Sequence, residues 1–128
     1  MPELPEVETV KETLKRKILN KTIDNVIVRY SGIVEEISTD SFTTKLKGQT
    51  FRDITRRGKW LIFHLDDYYL LSHLRMEGKY FLKDENMEFG KHEHVIFRFT
   101  DHTDLRYQDT RKFGRMLLVD KDKLNDAR

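Results

Sequence analysis

The chain has 128 residues, and its 24 Lys and Arg against 22 Asp and Glu leave a net charge of +2, so bulk composition announces no nucleic-acid binder and any basic footprint must come from local clustering. The lack of cysteine excludes disulfides, a thiol nucleophile and a cysteine-held zinc within the chain. No apolar run approaches the ~18 residues of a membrane span, and glutamates stand where a signal peptide needs its apolar core, so the expectation is one cytosolic domain.

Leu4, Val7, Val10, Leu14 and Ile18 step by three and four, which predicts an amphipathic helix over 4–18. Acidic residues Glu3, Glu6 and Glu8 lead it and Lys15, Arg16 and Lys17 close it, as the helix dipole favours. TIDNVIVRY (22–30) alternates as a strand, and STDSFTTKLKG (38–48) reads as a second helix, with Ser38, Thr39 or Asp40 to cap it and Gly48 at the C′ position. Beyond Gly48 the aromatic and β-branched runs QTFRDITRR, KWLIFHL, YYLLSHL, HVIFRF, DLRYQD and RMLLV predict strands, separated by turn signals such as LDDY and TDHTD. The fold class expected is α+β: mainly an antiparallel β-sandwich or flattened barrel of about eight strands flanked by two helices. Residues 1–120 would form the domain, and the polar tail KDKLNDAR (121–128) the start of a linker.

Five stretches carry chemistry-bearing residues. In TRRGKWLIF (55–63), Arg56, Arg57 and Lys59 cluster around Gly58 at a turn, either a solvated face or a basic site. In SHLRMEGKY (72–80), Met76 stands between charges beside Gly78; alone it reads as a packing residue folded back on the sheet. QDTRKFGRM (108–116) places Arg111, Lys112 and Phe113 ahead of Gly114. An apolar tip flanked by cations is what a duplex-invading wedge requires. KHEHV (91–95) sets His92 and His94 two apart, on one face of a strand, a weak metal signal that ranks below a polar, DNA-facing or structural role. At the opening MPELPEVETV, Pro2 either starts the helix or, once Met1 is removed, becomes a free secondary amine.

PELPEVETV, RRGKWL, SHLRMEGKY, KHEHV and LRYQDTRKFG, in this order over nearly the whole chain, resemble the N-terminal domain of the formamidopyrimidine-DNA glycosylases, bacterial base-excision enzymes for oxidised purines. The resemblance implies a bifunctional glycosylase and abasic-site lyase with Pro2 as nucleophile, Glu3 as acid/base carboxylate and Lys59 as a phosphate-binding lysine in the elimination steps. It implies that Met76, Arg111 and Phe113 fill the hole left by a flipped nucleotide, that His73 and His92 contact the DNA backbone, and that Glu6 and Glu77 are candidates for facing the lesion pocket. The partner implied is double-stranded DNA with an oxidised purine or an abasic site, met by a monomer with no membrane association. In the family a helix-two-turn-helix domain and a four-cysteine zinc finger follow; neither is in these 128 residues, so no cofactor is expected in this chain and zinc only in that further part.

Two other readings stand beside this one. An N-terminal-proline tautomerase would use Pro2 as a base on a small keto acid, but such enzymes run from proline into a strand, whereas a helix is predicted here. A non-enzymatic fragment that binds nucleic acid weakly is the third.

Overall fold

The computed structural model describes residues 4–122; Pro2, Glu3 and most of the polar tail lie outside them. In chain order the elements are α1 (Leu4–Ile18), β1 (Ile23–Val28), a 3-10 turn (Ser31–Ile33), α2 (Thr39–Leu46), β2 (Asp53–Arg57), β3 (Trp60–His64), β4 (Tyr68–His73), β5 (Lys79–Asp84), β6 (Glu93–Phe99), β7 (Thr103–Gln108) and β8 (Arg115–Asp120). The Ser38 hydroxyl caps α2 by accepting from the Ser41 N–H at 3.1 Å. Gly48 follows the helix at φ +86°, a left-handed conformation that glycine adopts without a Cβ penalty.

The strands form two four-stranded antiparallel sheets, ordered β1-β6-β7-β5 and β2-β3-β4-β8. The sandwich alternative therefore holds and the closed barrel does not. β5 is not among the strands that the sequence predicts. It is an edge strand with Phe81 38% exposed and only Tyr80 and Leu82 packed inward, so its apolar alternation is short and flanked by lysines.

Inward-facing side chains of both sheets meet around Phe51, whose ring packs edge-on against Phe63, Phe97 and Phe99 at centroid distances of 5.4, 6.2 and 5.7 Å. Val7, Leu14 and Ile18 of α1 and Phe42 and Leu46 of α2 are buried in the same core. The outer side of β6 and β7 is covered differently. Arg106, wholly buried, pairs with Asp104 and Glu93 and donates to the carbonyls of Asp84, Met87 and Glu88, which clamps segment 84–90 over the sheet. Burial alone would raise the Glu93 pKa, but hydrogen bonds from Lys83, the Gly90 N–H and Arg106 outweigh it and hold the carboxyl below its ordinary range.

Strand direction decides which loops share an end. Antiparallel pairing puts the β2–β3 turn (58–59), the β4–β5 connection (74–78), the entry to β6 and the β7–β8 connection (109–114) at one end of the sandwich. The N-terminal half of α1 points to that end, since Glu8 binds Arg56 near the β2–β3 turn while Lys15 reaches Asp53 at the far end of β2. Four stretches distant in sequence thus converge with the start of the chain's first helix.

Candidate nucleic-acid interface

The basic turn is built by its own backbone. Gly58 adopts φ +58°, and the Arg56 guanidinium folds over it, donating to the Gly58 carbonyl at 3.0 Å and to Glu8 Oε1 at 3.0 Å. Hydrogen bonds from Lys11 and Arg56 hold the Glu8 carboxyl below its usual range against a smaller effect of burial. Arg56 is thus tied to α1, whereas Arg57 is exposed and Lys59 is half-buried at the turn. Glu6 is exposed on the first turn of α1.

His73 ends β4 between Trp60 of β3 and Arg115 of β8, with the Trp60 ring edge-on at 5.1 Å. Its Nδ1 accepts the Arg75 N–H at 3.0 Å, so the neutral ring carries its proton on Nε2. Burial first, then the charges of Arg75 and Lys59, push its pKa below the ordinary histidine value. The His64 pKa is lowered as well, chiefly by burial. Because both groups bind a proton more readily in the unfolded chain, acidification must favour unfolding. The melting midpoint is expected to be flat between about pH 7 and 9 and to fall as pH drops below about 6.5. His73→Gln should reduce that fall, and an unchanged profile in the variant would remove His73 from the account.

Beyond His73 the chain turns through Arg75 at φ +54° and presents Met76, 48% exposed. The expectation that Met76 packs back on the sheet is overturned: the turn leaves it facing solvent, because Leu74 takes the buried position. Glu77 accepts from Arg111 Nε at 3.1 Å, and this half-exposed pair bridges the 74–78 and 109–114 loops. Phe113 is 49% exposed on the second loop, and Lys112, at φ +60°, lies over the Tyr30 ring.

Asp109 shapes that second loop. Its Oδ1 accepts the N–H groups of Arg111 and Lys112 at 3.2 and 3.1 Å, and its Oδ2 accepts the Gly114 N–H at 2.7 Å and the Tyr107 hydroxyl at 2.8 Å. The backbone of Asp109 also reaches β6, donating to the His92 carbonyl at 2.9 Å and accepting from His94 Nε2 at 2.7 Å. β6 begins at Glu93 and its register slips before Val95, so His92 precedes the strand and stays partly exposed while His94 is buried. Among the described residues no group of three or more His, Asp or Glu side chains is placed to hold a metal ion.

The Glu77–Arg111 pair therefore joins the loops that carry Met76 and Phe113, with Lys59, His73 and His92 at the same end of the sandwich. Asp109, Tyr107 and Trp60 were not singled out from sequence; the legible signal was an aspartate ahead of T-R-K, a residue type that fixes turns by accepting backbone N–H groups.

Residues 1–116 match the family profile described as "Formamidopyrimidine-DNA glycosylase N-terminal domain". The chain is 55% identical over 121 residues to the formamidopyrimidine-DNA glycosylase of Enterococcus faecalis, covering 94% of this chain and 43% of that protein. It is 56% identical over 119 residues to that of Halalkalibacterium halodurans, covering 92% and 43%. Among solved structures it resembles the Lactococcus lactis Fpg in complex with abasic-site DNA, with a TM-score of 0.92, 39% identity, and 98% of this chain superposed on 47% of the other. The complex of the Lactococcus lactis protein with DNA containing Fapy-dG gives a TM-score of 0.91 at 40% identity. The chain spans less than half the length of these relatives.

Proposed function

The chain belongs to the family of formamidopyrimidine-DNA glycosylase N-terminal domains, and from that premise we propose that it is the catalytic-side domain, residues 1–120, of a DNA glycosylase and abasic-site lyase acting on oxidised purines, with 121–128 opening a linker. The observation that carries this reading is the pair of exposed apolar side chains, Met76 and Phe113, on two loops that the Glu77–Arg111 pair joins at the end of the sandwich to which the N-terminal half of α1 points. Zinc belongs, on this reading, to a further domain and not to this chain.

Pro2, freed of Met1, is the proposed nucleophile at C1′ of the damaged nucleotide. An α-amine titrates near ~8, well below lysine, so more of it is unprotonated at neutral pH. Its attack at C1′ displaces the base; the amine then gives up its proton, and the C1′–O4′ bond opens as O4′ takes a proton from Glu3, leaving an iminium whose fixed positive charge acidifies the C2′ proton, and loss of that proton expels the 3′ phosphate by breaking the 3′ C–O bond. Glu3 serves as the acid/base carboxylate and Lys59 as phosphate ligand and participant in elimination. Met76 and Phe113 occupy the stack vacated by the flipped nucleotide, Arg111 addresses the orphaned base, and His73 and His92 meet the backbone. For Glu77 the pairing with Arg111 favours a role in holding that arginine; Glu6, exposed on α1, remains a candidate for the lesion pocket. A tautomerase is disfavoured because Leu4 already lies in a helix.

A single domain with few clustered cations neutralises few phosphates, so non-specific duplex affinity should be about 10⁻⁴–10⁻⁶ M at physiological salt and fall as salt rises. Flipping costs a few kcal/mol of unstacking, which one domain offsets poorly. On an oxidised-guanine duplex the chain is expected to excise almost nothing, while on a pre-formed abasic duplex borohydride should still trap it. Efficient excision of the oxidised base would contradict the reliance on a further domain, and no trapping on the abasic duplex would contradict the lyase reading.

Arg111→Ala should cost ~1–3 kcal/mol of selectivity for cytosine opposite the abasic site and less in overall affinity. Equal losses with every opposite base, measured by competition binding, would make Arg111 a phosphate anchor instead.

A further inference from the structure

Two loops carry the tips that the proposed function sends into the duplex, and each crosses between the two sheets: 74–78 joins β4 to β5, and 109–114 joins β7 to β8. Each ends on a glycine, Gly78 and Gly114, and both glycines face the same atom. A Cβ on Gly78 would lie 2.5 Å from the Tyr107 hydroxyl, and one on Gly114 would overlap that hydroxyl outright. Tyr107 is fully buried, and its hydroxyl donates to Asp109 Oδ2, which also accepts the Gly114 N–H. The other oxygen of Asp109 holds the N–H groups of Arg111 and Lys112.

We propose that Tyr107 and Asp109 form one buried pivot that couples the Met76 loop to the Arg111–Phe113 loop, so that the two tips are positioned and docked as a unit. The consequence for DNA rests on the reading above that these tips enter the stack; the coupling itself does not. Both are positioning residues, acting through Gly78, Arg111 and Gly114. A buried hydroxyl and a carboxylate with four donors form a network in which each member orients the next, so loss of one is felt by all. Burial, with Tyr80 and Asp109 nearby, raises the Tyr107 pKa far above the ordinary phenol value, so the hydroxyl stays a donor at every pH at which the protein folds. The Glu77–Arg111 pair, half-exposed, joins the same loops at their tips but is screened by water and salt.

The test is Tyr107→Phe, which removes the hydroxyl and leaves the ring against Tyr80 in the core; Asp109→Asn is the second variant should the first fold poorly. Amide hydrogen exchange on the 128-residue chain should speed up by about tenfold both at Gly78 and across 111–114, the loss of one hydrogen bond to a charged acceptor, with β3 and β4 unchanged. Faster exchange in the 109–114 loop alone, or in neither, would overturn the coupling. In binding, the variant should lose about tenfold of its preference for an abasic over an undamaged duplex at equal salt while its affinity for undamaged duplex changes by less than about twofold. Equal losses on both duplexes would mark a general structural defect and overturn the positioning role. If the unmodified chain shows no abasic preference, the entry of the tips into DNA fails, and exchange alone still decides the pivot.

Discussion

One residue added ahead of Pro2 is expected to reduce borohydride trapping of the chain on an abasic duplex by about three orders of magnitude or more, as loss of a covalent nucleophile does. The extension turns the secondary amine into an amide, whose nitrogen lone pair is delocalised and cannot attack C1′. The fold should not notice: α1 starts at Leu4, and its buried residues Val7, Leu14 and Ile18 lie one to four turns further on. Melting temperature and affinity for an uncleavable abasic analogue are therefore the controls, both expected unchanged. A chain that retains Met1 must behave as the extended one does, so intact mass has to accompany each assay. Undiminished trapping in the extended protein would move the nucleophile to a lysine, with Lys59 the first suspect.

Gly114→Ala should be the most damaging single-methyl change at this end of the molecule. The added Cβ overlaps the Tyr107 hydroxyl and approaches Asp109 Oδ2 at 2.9 Å, in a buried spot where neither neighbour can retreat without breaking a hydrogen bond. Overpacking of this kind costs about 1–3 kcal/mol, occasionally more, and leaving the Asp109 carboxylate short of a donor adds to it. A fall in unfolding free energy of roughly 3 kcal/mol in urea is the expected result, with loss of abasic preference. Gly114→Ala combined with Tyr107→Phe should recover part of the loss by removing the struck atom. A destabilisation below about 0.5 kcal/mol, the range of an ordinary surface change, would mean that the loop is free to shift and that Asp109 does not fix it.

How far the sequence discloses this molecule follows from what kind of interaction builds each part. α1 is legible in the sequence because its apolar face, charge polarity and end at Ile18 all agree. Strands β2 to β4 and β6 to β8 were legible from their aromatic and β-branched runs, although their ends are shorter than the runs suggested. β5 was not, because an edge strand needs only one buried side and tolerates exposed Phe81 between lysines. Nor could periodicity choose sandwich over barrel, since both put alternate residues inward, and the choice lies in which edges pair. At the candidate site the residue types were visible as glycine-marked basic turns. Met76 taken alone reads as a packing residue, while the resemblance sends it into the base stack; the left-handed turn at Arg75 is what leaves it exposed. Asp109 and the Arg106 network escaped notice because a charged residue on a strand or turn reads as solvated until its partners, up to 22 positions away in sequence, are known.

Covalent chemistry on DNA is proposed to begin at the second residue of this chain. Its most direct measurement is to reduce the adduct formed on an abasic duplex, digest the protein and locate the modified residue by mass spectrometry, with the free N-terminus verified beforehand. The sugar remnant is expected on the Pro2 nitrogen and on no other peptide. A remnant on Lys59 or another lysine, or no adduct from a chain whose terminal proline is free, would contradict it.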